Sequence, residues 1–99
     1  MTNIIEIWKI IEEWPSYSIS NFGNVKNNKT NKLKSLRNSG KYYNVVLYTT
    51  IKAETYTVHR LVAKHFVENN DIEKNIIVDH IDGNGKNNIY TNLRWCTQS

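Results

Sequence analysis

The spacing of apolar residues changes at His59, and this change most restricts the folds open to the chain. Upstream, residues 42–50 are dense in β-branched and aromatic side chains, and Tyr56 and Val58 alternate onto one side of the stretch that follows. Downstream, Leu61, Val62, His65 and Phe66 fall on one helical face, with Arg60 and Lys64 on the other. Asn69-Asn70 is expected to end this helix. Ile76-Ile77-Val78 and Leu93-Arg94-Trp95-Cys96 then read as short strands flanking an Asp-Gly-Asn loop. The order is sheet, helix, hairpin, so the expected class is α+β: a small antiparallel sheet, one helix and a closing β-hairpin.

The first half supplies the sheet. Ile4, Ile5, Ile7, Trp8, Ile10 and Ile11 crowd the start, and Trp14-Pro15 closes that segment. Pro15 biases Trp14 away from helix, so a short extended or irregular lead-in is expected. Tyr17-Ser18-Ile19-Ser20 alternates like a half-buried strand, and Asn21-Phe22-Gly23-Asn24 supplies a turn. Val25-Lys26-Asn27, a polar turn at Asn28-Lys29-Thr30-Asn31 and the return over 32–36 predict a β-hairpin with a basic tip. Trp8, Trp14 and Trp95 are expected in the core. There is no Gly/Ser-rich or Pro-rich linker and no internal repeat, so 99 residues fit one compact domain or two small lobes sharing a modest core.

The net charge of +4 matters less than its placement. Between Pro15 and Ala53 there is no Asp or Glu, while the same stretch carries Lys26, Lys29, Lys32, Lys34, Arg37, Lys41 and Lys52. An acid-free block with this many cations favours a polyanion, with nucleic acid the default partner. The plainer reading is a solvated lysine-rich face, and an A+T-rich genome would also raise Lys, Asn and Ile. The single Cys96 excludes an intrachain disulfide and a Cys-based zinc site, which points to a reducing, intracellular setting. The start of the chain has neither a signal-peptide core nor a basic amphipathic leader, and no apolar run approaches bilayer length, so no membrane is expected as partner.

Chemistry concentrates at Val78-Asp79-His80-Ile81-Asp82-Gly83-Asn84, with Asn87-Asn88 and Asn92 beyond the loop. Cutting a phosphodiester needs a positioned water, neutralised phosphoryl oxygens and a stabilised leaving oxygen. Asp79 is a hard oxygen ligand suited to Mg²⁺ or Mn²⁺, and a histidine such as His80 can take a proton from water near neutral pH. Neighbours on a regular strand point to opposite faces, so using both on one phosphate requires a distorted strand end. Asn87, Asn88 and Asn92 can bond the loop backbone and hold the strands in register, and Arg94 could reach a phosphate. Each has a plainer role: Asp82 caps a turn, and His80 is a surface residue. A calcium loop is rejected because Leu93 stands where an EF-hand needs a bidentate carboxylate. His59 and His65, six apart on the helix, do not share a ligand face and read as structural. Tyr42 and Tyr43 beside Lys41 read either as DNA-stacking groups or as core.

Taken together, these stretches resemble a phage-type HNH homing endonuclease over residues 8–98. The markers are Tyr17-Ser18-Ile19-Ser20-Asn21-Phe22-Gly23-Asn24-Val25, Val58-His59-Arg60-Leu61-Val62-Ala63, the Asp79-His80 segment, Asn87-Asn88, and Asn92-Leu93-Arg94-Trp95-Cys96-Thr97-Gln98. The resemblance implies a basic antiparallel-sheet DNA-binding motif over 1–57, then a helix plus partial ββα-metal (HNH) core over 58–99 lacking its final helix. It further implies Asp79 as ligand to a single divalent metal, His80 as general base, and Asn92 as the asparagine that braces the hairpin. The family's second protein metal ligand would fall past Ser99, so the sequence reads as truncated before the metal-binding helix.

The leading expectation is a metal-dependent endonuclease hydrolysing duplex DNA. Lys26, Lys29, Lys32, Lys34 and Arg37 would grip the backbone, with Lys41 and Arg94 as further contacts. The rival is a non-catalytic DNA-binding fragment, since one carboxylate holds metal weakly. A third reading is a remnant that folds only as a homodimer covering the open hairpin.

Overall fold

The computed structural model describes residues 4–98. Its elements are β1 (Trp8–Ile11), β2 (Trp14–Ser20), β3 (Val25–Asn27), β4 (Arg37–Asn38), β5 (Tyr43–Tyr48), β6 (Ala53–Thr57), α1 (Val58–Phe66), β7 (Asn75–His80) and β8 (Leu93–Thr97), with a 3₁₀ turn at Tyr90–Asn92 just before β8. All strand pairings are antiparallel. The class is α+β, as expected from the change of period.

The first half holds two three-stranded sheets, β1-β2-β3 and β4-β5-β6, where one small sheet was expected. The difference begins at the N-terminal segment. Of the extended or irregular lead-in expected, residues 8–11 take the extended form as strand β1, paired with β2, and Trp14-Pro15 opens β2 instead of closing a segment. Pro15 fits because β1 leaves the ladder there: the register shifts between Ile10 and Ile11, and Trp14 pairs with Ile11. Residues 17–20 are all buried, not half-buried, because both faces of β2 are covered. The hairpin predicted over 25–36 shrinks to a single bridge between Lys26 and Leu33. Asn31 turns the chain there at φ 60°, a left-handed conformation that Asn tolerates; the Lys34 N–H still donates to the Val25 carbonyl at 2.8 Å, and the chain then leaves β3 for the second sheet.

Helix α1 ends at Phe66, earlier than the Asn69-Asn70 signal placed it. Val67 is already extended (φ −113°, ψ 121°), and its N–H closes the last turn on the Ala63 carbonyl at 3.0 Å. Lys64 and His65 in that turn suit the negative end of the helix, and His65 Nδ1 donates to the Leu61 carbonyl at 2.8 Å. Its Nε2 accepts the Glu12 N–H at 3.4 Å, so His65 has the structural role expected of it.

One apolar cluster ties the elements together. Ile11, Trp14 and Ile19 from the first sheet meet Val45 and Leu47 from the second, Val58, Leu61 and Val62 from α1, and Val78 and Leu93 from the hairpin. Trp14 is buried as expected, whereas Trp8 and Trp95 are only partly covered. Trp95 donates its indole N–H to the Val67 carbonyl at 3.2 Å, fixing β8 against the end of α1. Among the described residues no helix is long and apolar enough to cross a membrane.

Candidate functional site

Strand β7 runs regularly through Val78↔Trp95, Asp79↔Arg94 and His80↔Leu93. The expected distortion at its end is absent; the register shift lies at the other end, between Asn75 and Ile77. Asp79 and His80 nevertheless line one cleft of about 170 Å³, together with Lys41, Tyr42, Val78, Gly83 and Gly85. What brings both to one cleft is a wall from outside the hairpin. The turn between β4 and β5 reaches over the loop that follows β7, with Lys41 and Tyr42 against Gly85.

That loop is held by its asparagines around Asp82. The Asp82 carboxylate accepts hydrogen bonds from the Asn84 N–H (2.8 Å), Asn92 Nδ2 (2.9 Å) and Asn87 Nδ2 (2.8 Å). These bonds, the one from Asn87 foremost, hold its carboxyl below the usual carboxylate range. Asn92 is buried, donates also to the Asn87 carbonyl at 2.9 Å, and accepts the Asp82 N–H at 3.1 Å. Asn92 therefore sits where a brace between loop and second strand belongs. Gly83 takes φ 76°, the left-handed conformation that reverses the chain.

His80 is only 8% exposed, and its Nε2 lies 2.8 Å from Asn88 Oδ1. Its ring is packed against two others. The Tyr42 ring lies near-parallel to it (centroids 5.9 Å, 21°), and His59 meets it edge-on at 4.8 Å. Tyr42 and His59 also touch, at 4.9 Å. Burial, followed by the charges of His80 and Arg60, pulls the His59 pKa from 6.5 down to about 4, so this ring is neutral at pH 7. Its Nδ1 is buried without a hydrogen-bond partner among the described residues.

Asp79 is half-exposed and paired with Arg94, whose Nε and terminal nitrogen reach the same oxygen, Oδ2, at 3.1 and 2.8 Å. Arg94, expected to face a phosphate, thus rests on the candidate metal ligand. The other carboxylate oxygen makes no hydrogen bond among the described residues. One free hard oxygen beside a solvent-open cleft fits a divalent ion that keeps several waters. Among the described residues no group of three His, Cys, Asp or Glu side chains gathers to complete a ligand set.

The cations are dispersed along the first half. Lys26 lies over the Trp8 ring (4.4 Å) and Lys34 over Tyr48 (4.2 Å), while Lys29, Lys32, Arg37 and Lys41 are exposed. Among the described residues none of these six forms an ion pair. Lys34, Arg37 and the exposed Tyr48 share a shallow groove.

Sequence reasoning missed the partners of His80. His59, Val62, Ala63 and Phe66 share the i, i+3, i+4, i+7 spacing, which places His59 on the inward face of α1, a legible sign of a buried polar group. That its neighbour would be His80, and that Asn88 would turn to His80 instead of the loop backbone, had no local signal.

Comparison with known proteins finds both family and structural relatives. A family described as HNH endonuclease matches residues 56–99, and the NUMOD4 motif matches residues 6–48. The chain carries an HNH endonuclease domain and a NUMOD4 motif, and its relatives are HNH endonucleases of phages and a mimivirus. It is 46% identical to an HNH endonuclease of Acanthamoeba polyphaga mimivirus, over 95% of this chain and 24% of the relative. It is 44% identical to DNA endonuclease I-HmuI of Bacillus phage SP01, over 92% of this chain and 52% of that protein. The structure titled for DNA binding and cleavage by I-HmuI superposes with a TM-score of 0.83 at 40% identity, covering 93% of this chain and 53% of that one. The chain thus spans about half the length of I-HmuI and a quarter of the mimivirus protein. The HNH match spans α1 and the β7–β8 hairpin, and the NUMOD4 match spans β1 to β5.

Proposed function

We propose that this HNH chain grips duplex DNA and activates water for metal-dependent phosphodiester hydrolysis. The observation that carries the reading is the meeting of Asp79 and His80 on one cleft, with the His80 ring immobilised by packing and one Asp79 oxygen left free. A single Mg²⁺ or Mn²⁺, held by Asp79, water and a DNA phosphate, would supply charge neutralisation to the phosphoryl and leaving oxygens. His80 takes the proton from the attacking water. Asn92 keeps loop and strands in register and touches no reacting atom. Residues 1–57 act as the DNA-contacting sheet motif and residues 58–99 as the nuclease core. Lys26, Lys29, Lys32, Lys34, Arg37 and Lys41 meet backbone phosphates, and Arg94, which rests on Asp79, would offer its remaining donors to a phosphate. These contacts place affinity in charge, with little sequence information. The working setting is intracellular, where DNA and Mg²⁺ meet.

A second reading is a DNA-binding module without turnover, favoured by the lone carboxylate at the site. Plasmid cleavage by this chain with Mg²⁺ or Mn²⁺, with EDTA, Asp79→Ala and His80→Ala as controls, separates the two. Metal-dependent nicking lost in both variants, with DNA affinity within about twofold of the parent, supports hydrolysis. Salt-sensitive binding without nicking supports the module. Cleavage by His80→Ala at the parental rate would rule out its role as base.

A further inference from the structure

We propose that Asn88 is a positioning residue that sets which nitrogen of His80 accepts the proton, and that the turn at residues 21–24 of the first half holds Asn88 in place. The proposal rests on His80 being the base and names the atom that acts. An amide oxygen only accepts hydrogen bonds, so the 2.8 Å contact between Asn88 Oδ1 and His80 Nε2 requires the hydrogen on Nε2. In the neutral ring the lone pair is then on Nδ1. Nδ1 has no hydrogen bond to the protein among the described residues, and His80 lines the cleft shared with Asp79. The proton acceptor is therefore Nδ1, and Asn88 makes it so.

Asn88 is 5% exposed and is backed by the first half of the chain. A Cβ on Gly23 would lie 2.9 Å from the Asn88 Cβ, and Gly23 has φ 91°. Glycine is thus needed twice, for the turn and for the close approach. Two residues on, the Tyr90 N–H donates to the Asn21 carbonyl at 2.9 Å. Asn21 is itself anchored, its Oδ1 accepting the Ile7 N–H at 2.7 Å and its Nδ2 donating to the Ile5 carbonyl at 3.0 Å. Ser20 Oγ closes the turn by accepting the N–H groups of Phe22 (3.2 Å) and Asn24 (3.1 Å). The sheet motif thereby becomes part of the mount of the catalytic histidine as well as a candidate grip on DNA.

The plainer account is that Asn88 merely satisfies a buried ring and that the turn merely packs. Two-bond ¹⁵N–¹H correlation of the imidazoles in the whole chain, at alkaline pH and without metal or DNA, distinguishes the two. The expected spectrum shows His80 as one tautomer, protonated at Nε2. Asn88→Ala moves its nitrogen shifts toward a tautomer mixture, Asn88→Asp restores the single tautomer because a carboxylate oxygen also accepts, and Gly23→Ala moves His80 the same way as Asn88→Ala. Unchanged His80 nitrogen shifts in Asn88→Ala would overturn the proposal. So would a parent chain with His80 protonated at Nδ1, a result that needs no variant to fold. Neither outcome touches the hydrolysis reading, which plasmid nicking decides separately.

Discussion

Single side chains at this site are set by what packs on them. His59 illustrates the cost of that packing. Its ring is neutral in the fold at pH values where the unfolded ring, with pKa near 6.5, takes up a proton. The stability this contributes is complete above about pH 6.5 and is lost as pH falls toward about 4. Asp82 acts in the same sense lower on the scale, since its depressed carboxyl stabilises the fold above its ordinary range and ceases to as it protonates. Urea denaturation across this window should show a loss of about 2 kcal/mol from the histidine at its acidic end. His59→Gln should flatten that part of the profile. A parent chain equally stable at both ends of the window would show that the ring is not held neutral.

At the scale of elements, the turn before β5 and the loop after β7 are fitted to each other. A Cβ on Gly85 would run into the Lys41 carbonyl and the Tyr42 ring. Gly85→Ala should cost about 1–3 kcal/mol, as overpacking does, and should loosen the wall that Tyr42 forms on His80. An unaltered thermal melt would mean that the turn yields freely. The basic segment between β3 and β4 carries a separate expectation. Replacing Lys29, Lys32 and Lys34 together with Gln should weaken DNA binding and lower the slope of log affinity against log salt by about 2 to 3, near one unit per phosphate contact. A slope equal to the parent's would remove this segment from the interface. Lys34 has a second partner, its Nζ lying 3.2 Å from the Tyr48 hydroxyl, so Lys34→Gln alone separates the structural share from the phosphate share.

The whole molecule stands on one small core, and the site inherits its rigidity from it. Leu47 is fully buried in the cluster that joins both sheets, α1 and the hairpin. Leu47→Ala should cost about 2–5 kcal/mol in denaturant unfolding, with the tryptophan and tyrosine signals lost together. Separate transitions for the two halves would show that they do not share a core. Much was legible before any coordinates. The existence of the helix from about His59, though not its end at Phe66, and the paired strands around Asp82-Gly83-Asn84 follow from local spacing, because periodicity and turn chemistry are properties of neighbouring residues. The bracing role of Asn92 comes instead from the family resemblance. The acid-free lysine block is likewise a matter of counting along the chain. What local spacing does not carry is contact between distant segments. Strand β1 forms only because β2 pairs with it, and the hairpin expected over 25–36 stays short because its return leaves for the second sheet after Lys34. Arg94 meets Asp79, Tyr42 and His59 meet His80, and Gly23 meets Asn88 across separations that no window of sequence spans. Sequence alone determined which groups could do chemistry; burial and cross-chain packing decided which ring is neutral, which oxygen is free and which nitrogen of His80 meets Asn88.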